Sequence, residues 1–70
     1  MEFTLKTDRI ELCRLLKAAN LVLSGAEGKE VVAAGLVHVD GQLETRKRCQ
    51  IKAGQCIQFN GEEIHVRPSA

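Results

Sequence analysis

Apolar residues recur through the first half of the chain at the spacing of a helix. Leu12, Leu15, Leu16 and Ala19 fall at i, i+3, i+4 and i+7, which stacks them on one side of a helix running from about Arg9 to Ala19. Asp8 is placed to cap its start, and Asn20, which tolerates the left-handed conformation, is suited to end it. Ser24-Gly25-Ala26-Glu27 reads as a capping box, the serine side chain accepting from the third helical amide and the glutamate reaching back to the serine amide. Behind it Gly28, Val31, Val32 and Gly35 repeat the helical spacing. A small residue at position 28 lets this second helix approach the first closely, and Gly35 stops it.

The period then changes. Val37 and Val39 alternate with His38 ahead of Asp40-Gly41 and Leu43, so two short strands flank a tight turn. Cys56 to Phe59, Asn60-Gly61 and Glu62 to Val66 form the clearest hairpin signal, because both central residues of a type I′ turn need positive φ. A two-residue loop there sets Ile57 opposite Ile64. Glu2 to Leu5, with Phe3 and Leu5 alternating, suits a further short strand. The pattern predicts an α+β fold with two helices packed on a small antiparallel sheet of four to five short strands. Residues 1–70 are expected to form a single domain, with no repeat, low-complexity run or interior linker.

Composition narrows the class. A 70-residue chain buries only about 60% of the surface its unfolded form exposes, so the core is small. Hydrophobic residues make up 44% and charged residues 27%, which gives no sign of disorder. The three cysteines, Cys13, Cys49 and Cys56, are odd in number and not closely spaced, which argues against a disulfide framework and for a reducing compartment. The first residues mix acids and cations instead of offering a basic head and an apolar run, and no apolar stretch approaches the roughly 20 residues of a membrane span. A cytoplasmic protein with no membrane contact is the expectation.

Charge changes the picture through its distribution. The formal net charge is only +1, yet no acid lies between Thr45 and Gly61 while Arg46, Lys47, Arg48 and Lys52 do. Clustered Arg and Lys neutralise phosphates and release counterions. On charge alone, the segment reads equally as a solvated stretch that protects a sheet edge. The leading end of the second helix, with Ser24, Gly25 and Lys29, is attractive to anions, although capping alone also explains it. Catalysis finds no support: His38 and His65 lack a neighbouring nucleophile with an orienting third group. The Cys and His spacings are not those of a zinc site, so neither a metal nor another cofactor is expected. Cys13 and Cys56 read as core fillers, whereas Cys49, beside three cations, is a candidate for a lowered thiol pKa.

Leu12-x-x-Leu15, Ser24-Gly25, Val31-Val32-x-x-Gly35-x-Val37-x-Val39-Asp40-Gly41 and Ile51-x-x-Gly54-x-x-Ile57 together resemble the αL RNA-binding motif, found in a ribosomal small-subunit protein, pseudouridine synthases and tyrosyl-tRNA synthetases. Gly35 to Gly41 is similar to that family's G-x-V-x-V-N-G signature with Asp40 at the Asn position. Glu44 to Arg48, with Ser24-Gly25 before it, looks most like the stand-alone YbcJ-like subgroup. The resemblance covers about residues 10 to 59. It departs from the family where Gly25 replaces the Arg of a Ser-Arg pair and where Gln55 replaces an Asp.

That resemblance implies two helices on a small sheet and a helical surface that binds structured RNA, with ribosomal RNA or tRNA as partners. Carried onto this chain, it places Ser24 and Gly25 as shapers of the helix end, while the clustering of charge marks Arg46, Lys47, Arg48, Lys52 and Lys29 as the phosphate contacts, with Arg14 and Lys17 on the first helix as additional contacts. Two aromatic residues, Phe3 and Phe59, are too few for a base-stacking platform, so shape and phosphates would be read. The expectation is a noncatalytic, monomeric RNA-binding protein. The alternative is a protein-interaction module that docks an acidic partner within a larger assembly.

Overall fold

The computed structural model describes residues 1–46 and 48–68. Two helices, α1 (Leu12–Ala18) and α2 (Gly25–Ala33), are interleaved with seven strands: β1 (Glu2–Thr4), β2 (Arg9–Glu11), β3 (Val37–Val39), β4 (Gln42–Leu43), β5 (Gln50–Lys52), β6 (Cys56–Phe59) and β7 (Glu62–Arg67). The α+β class therefore holds, with more strands than the pattern predicted. Five strands form a sheet in the order β1-β7-β6-β3-β4, and β2 and β5 form a separate ribbon.

Both helices end by the same device. Asn20 takes φ 64° and Gly35 φ 77°. Asn20 N donates to Lys17 O and Leu21 N to Leu16 O, just as Gly35 N donates to Val32 O and Leu36 N to Val31 O, which is the paired bonding of the Schellman motif. The starts differ from expectation. Arg9 to Glu11 are strand, not helix, because they pair antiparallel with Lys52 to Gln50, and α1 begins after Glu11 with no side-chain cap. Asp8 is thus not its cap. In α2, Ser24 Oγ accepts from Glu27 N at 3.1 Å as predicted, but the Glu27 carboxylate accepts from Leu23 N at 2.7 Å and not from the serine amide.

The helices meet at Gly28. A Cβ built there would stand 2.8 Å from the Cys13 carbonyl oxygen and 3.1 Å from Cys13 Cβ, so only glycine allows the backbones this close. The core lies between helices, sheet and ribbon, where Leu12, Leu15, Leu16, Val32, Val37, Ile51, Ile57 and Ile64 are fully buried.

The hairpin register is as predicted, Ile57 opposite Ile64, with Asn60 and Gly61 at φ 53° and 80°. One pairing is not antiparallel: β1 runs parallel to β7, with Phe3 opposite Val66. Alternation identifies β1 as a strand but carries no information on its partner or direction. Gly61→Val should cost about 1–2 kcal/mol, the penalty of a side chain in the left-handed region, and urea unfolding checks this.

Candidate nucleic-acid interface

The first turn of α1 organises the surface. Leu12 N donates to Cys49 O at 2.8 Å, which holds the end of the basic segment against the start of α1. The next residue, Cys13, receives Gly28 of α2. The segment that carries Arg48 and the leading turns of α2 therefore abut the same turn of α1. Arg14 and Lys17, three residues apart and exposed, share one side of α1, and Lys29, next to Gly28, is exposed as well.

The predicted residues divide into groups. Arg14 in the first turn of α1, Lys17 in its last turn, Lys29 beside Gly28 in α2 and Arg48 just before β5 are all exposed. Lys52 lies at the other end of the ribbon, directly opposite Arg9. Ser24 is the N-cap of α2 and Gly25 its first residue, with nothing within 4 Å of a Cβ at Gly25. Ser24 and Glu27 cap two donors, and the Gly25 and Ala26 amides are not among those capped. The Glu27 carboxylate at this end offsets part of its attraction for anions. Lys47 lies outside the described residues.

Arg46 is not a free cation. Its Nε and Nη2 donate to the two carboxylate oxygens of Glu44 at 2.9 and 3.0 Å, and its amide donates to Glu44 Oε2 at 3.0 Å. The Arg46 side chain and then its amide hold the Glu44 carboxyl well down, from 4.5 to about 2. A depressed carboxyl contributes stability that is present above about pH 4.5 and lost as pH falls from there through about 2. Glu44→Gln should remove that part of the acid-side decline, measured as thermal midpoint against pH. Among the described residues the other ion pairs are Arg14 with Glu11, at a loose 3.9 Å, and Arg67 with Glu2 at 2.8 Å. Lys17, Lys29, Arg48 and Lys52 thus have no ion-pair partner among the described residues.

Arg9 and Lys6 were missed from sequence. They line an open groove of about 590 Å³ with Arg14, Gln50 and Phe3, alongside Asp8 and Glu11. Arg14 joins this groove to the helical cations. Like charges directly opposite in a strand pair are unfavourable, so the Arg9–Lys52 juxtaposition is a feature that a bound anion would relieve. Its signal in the sequence is the charge at both positions, but it is readable only once the ribbon pairing is known.

The thiol at Cys49 is the reverse of the expectation. Burial first, and the neighbouring Glu44 carboxylate second, push it above its ordinary value despite Arg46, so the structure gives no activated nucleophile there. Cys13 is buried as predicted, but Cys56 is only half-buried and donates to Glu63 Oε2 at 3.6 Å. No helix among the described residues is long and apolar enough to cross a membrane.

Comparison with known proteins agrees with this architecture. The S4 domain family model matches residues 3–67. YbcJ of Escherichia coli (strain K12) and YbcJ of Shigella flexneri are each 49% identical over 61 residues, covering 87% of this chain and 87% of the relative. The solution structure of E. coli YbcJ, described as having an αL motif involved in RNA binding, superposes with a TM-score of 0.73 at 48% identity over 94% of this chain and 85% of that one. The 30S ribosomal protein S4e from Thermoplasma acidophilum gives 0.61 at 26% identity, over 83% of this chain and 31% of that chain. With its paired helices, its mixed sheet and a relative at this identity across most of both chains, the chain belongs to the S4 domain family.

Proposed function

We propose that this protein binds structured RNA, without catalysis, through a basic surface made by the adjoining first turns of α1 and α2 and the segment from Arg46 to Lys52. One observation carries the reading: Cys49 and Gly28 abut the same turn of α1, so the backbone that bears Arg48 and Lys29 meets the turn that bears Arg14, with Lys17 farther along the same helix and all four exposed. Exposed cations on neighbouring elements neutralise backbone phosphates and release their counterions, which suits a partner read by shape and phosphates. Lys52 extends the surface along the ribbon with Arg9, Ser24 and Gly25 shape the end of α2, and Lys47 belongs to the same segment by sequence. The RNA-binding motif described for YbcJ supports the chemistry, and the ribosomal relative makes ribosomal RNA the first partner to test, with tRNA beside it. The whole chain acts as one monomeric module, and its three free cysteines fit a reducing cytoplasm.

Shape is read in preference to bases because Phe3 and Phe59 pack against the core and offer no stacking platform. Fluorescence anisotropy with a folded hairpin and an unstructured strand of equal length tests this. At least tenfold tighter binding of the hairpin is expected. Equal affinity would refute recognition of folded RNA, and no binding to either, with capture of an acidic protein instead, would favour a docking module. Glu44→Gln, which frees the Arg46 guanidinium, should tighten hairpin binding several-fold in the same assay.

A further inference from the structure

The face of the five-stranded sheet turned away from the helices carries its own cluster. Ile57, Ile64 and Val66 point into the core, so Cys56, Glu63 and His65 project to the other side. Strand pairing sets Cys56 directly opposite His65, and Glu63 precedes His65 by two positions on the same side. One ligand atom from each, the Cys56 Sγ, a Glu63 carboxylate oxygen and a His65 ring nitrogen, lie within 4.8 Å of one another.

Tetrahedral zinc, with metal–sulfur bonds of about 2.3 Å and metal–nitrogen or –oxygen bonds of about 2.0–2.2 Å, separates its ligand atoms by about 3.3–3.8 Å. Side-chain rotation of about 1 Å closes the difference on a backbone already fixed by the hairpin. We propose that Cys56, Glu63 and His65 bind a borderline-soft divalent metal ion, zinc by its fit to a thiolate, imidazole and carboxylate set, with a water in the fourth position.

The neighbours suit this arrangement. The Asp40 carboxylate accepts from Cys56 N at 2.9 Å and pins the cysteine's place on β6. Two cations lie nearby: Arg67, on the same side of β7, is held by Glu2 at 2.8 Å, and the N-terminal ammonium donates to the Glu63 backbone carbonyl at 2.7 Å. Binding releases the Cys56 thiol proton to solvent as the sulfur–metal bond forms. Sequence spacing concealed the site, because eight residues, the Asn60–Gly61 turn among them, separate Cys56 from His65 and only the register joins them.

The test uses the full chain, reduced and metal-free, titrated with Co²⁺ and followed by absorption. Expected are a thiolate-to-cobalt charge-transfer band and intense visible bands of tetrahedral cobalt, saturating near a single equivalent and displaced by Zn²⁺. Cys56→Ser should abolish the charge-transfer band, His65→Ala should weaken Co²⁺ binding at least tenfold, and Cys49→Ser should leave both unchanged. Both ligand substitutions are at partly or fully exposed positions, and circular dichroism checks their fold. No charge-transfer band, a band that survives Cys56→Ser, or one lost with Cys49→Ser would each overturn the assignment.

Discussion

Gly28→Leu is expected to unfold the domain. The Cβ would stand 2.8 Å from a backbone oxygen and 3.2 Å from Cys13 Cα, and backbone atoms of a packed helix cannot step aside as a flexible side chain can. Overpacking of this kind costs about 1–3 kcal/mol for small additions and more for large ones, against a total stability near the lower end of about 5–15 kcal/mol for so short a chain. Gly28→Ala separates the contact from helix propensity. Alanine is the better helix former by about 1 kcal/mol, so a net loss of stability in this variant means that the interhelical clash wins. Gly25 provides the comparison within the same helix: nothing lies within 4 Å of its Cβ position, and Gly25→Ala should be neutral or slightly stabilising. Urea midpoints of the three variants decide the matter, and a Gly28→Ala protein more stable than wild type would show that the helices can separate at no cost.

The second large effect concerns RNA. The combined variant Lys17→Ala, Lys29→Ala, Arg48→Ala should bind a folded hairpin at least about tenfold more weakly at moderate salt, and the slope of log affinity against log salt should shrink by about one for each phosphate contact removed. None of the three side chains has an ion-pair partner among the described residues and all are exposed, so removal leaves no buried charge and little stability is at stake. A reduced affinity with an unchanged slope would mean that these residues act through packing and not through charge. Arg46→Ala alone should change the slope by less, because its guanidinium is shared with Glu44.

Much of this fold was legible because its signals are local. The Asn60–Gly61 turn fixes its own register, and the serine cap and the αL residues at Asn20 and Gly35 act within a few positions of themselves. The β2–β5 ribbon was not legible: it joins residues some forty positions apart, and Arg9 to Glu11 read as the opening of a helix that in fact starts at Leu12. The same cause hid Arg9 opposite Lys52. The Glu44–Arg46 pair had a readable signal, since residues i and i+2 of an extended segment share a side, but counting charges in the acid-free stretch stopped one residue short of it. The Cys56, Glu63 and His65 cluster was likewise implicit in the Ile57–Ile64 register, which places the flanking residues opposite one another.

The central claim is that RNA meets the helices and the basic segment and leaves the outer face of the sheet free. Amide chemical-shift mapping of the isotope-labelled chain, titrated with a folded RNA hairpin, tests it most directly. The account predicts perturbations concentrated at Arg14, Lys17, Ser24 to Lys29 and Arg46 to Lys52, with His38, Gln58 and His65 unmoved; perturbations centred on those three residues of the sheet, with the helix amides silent, would contradict it.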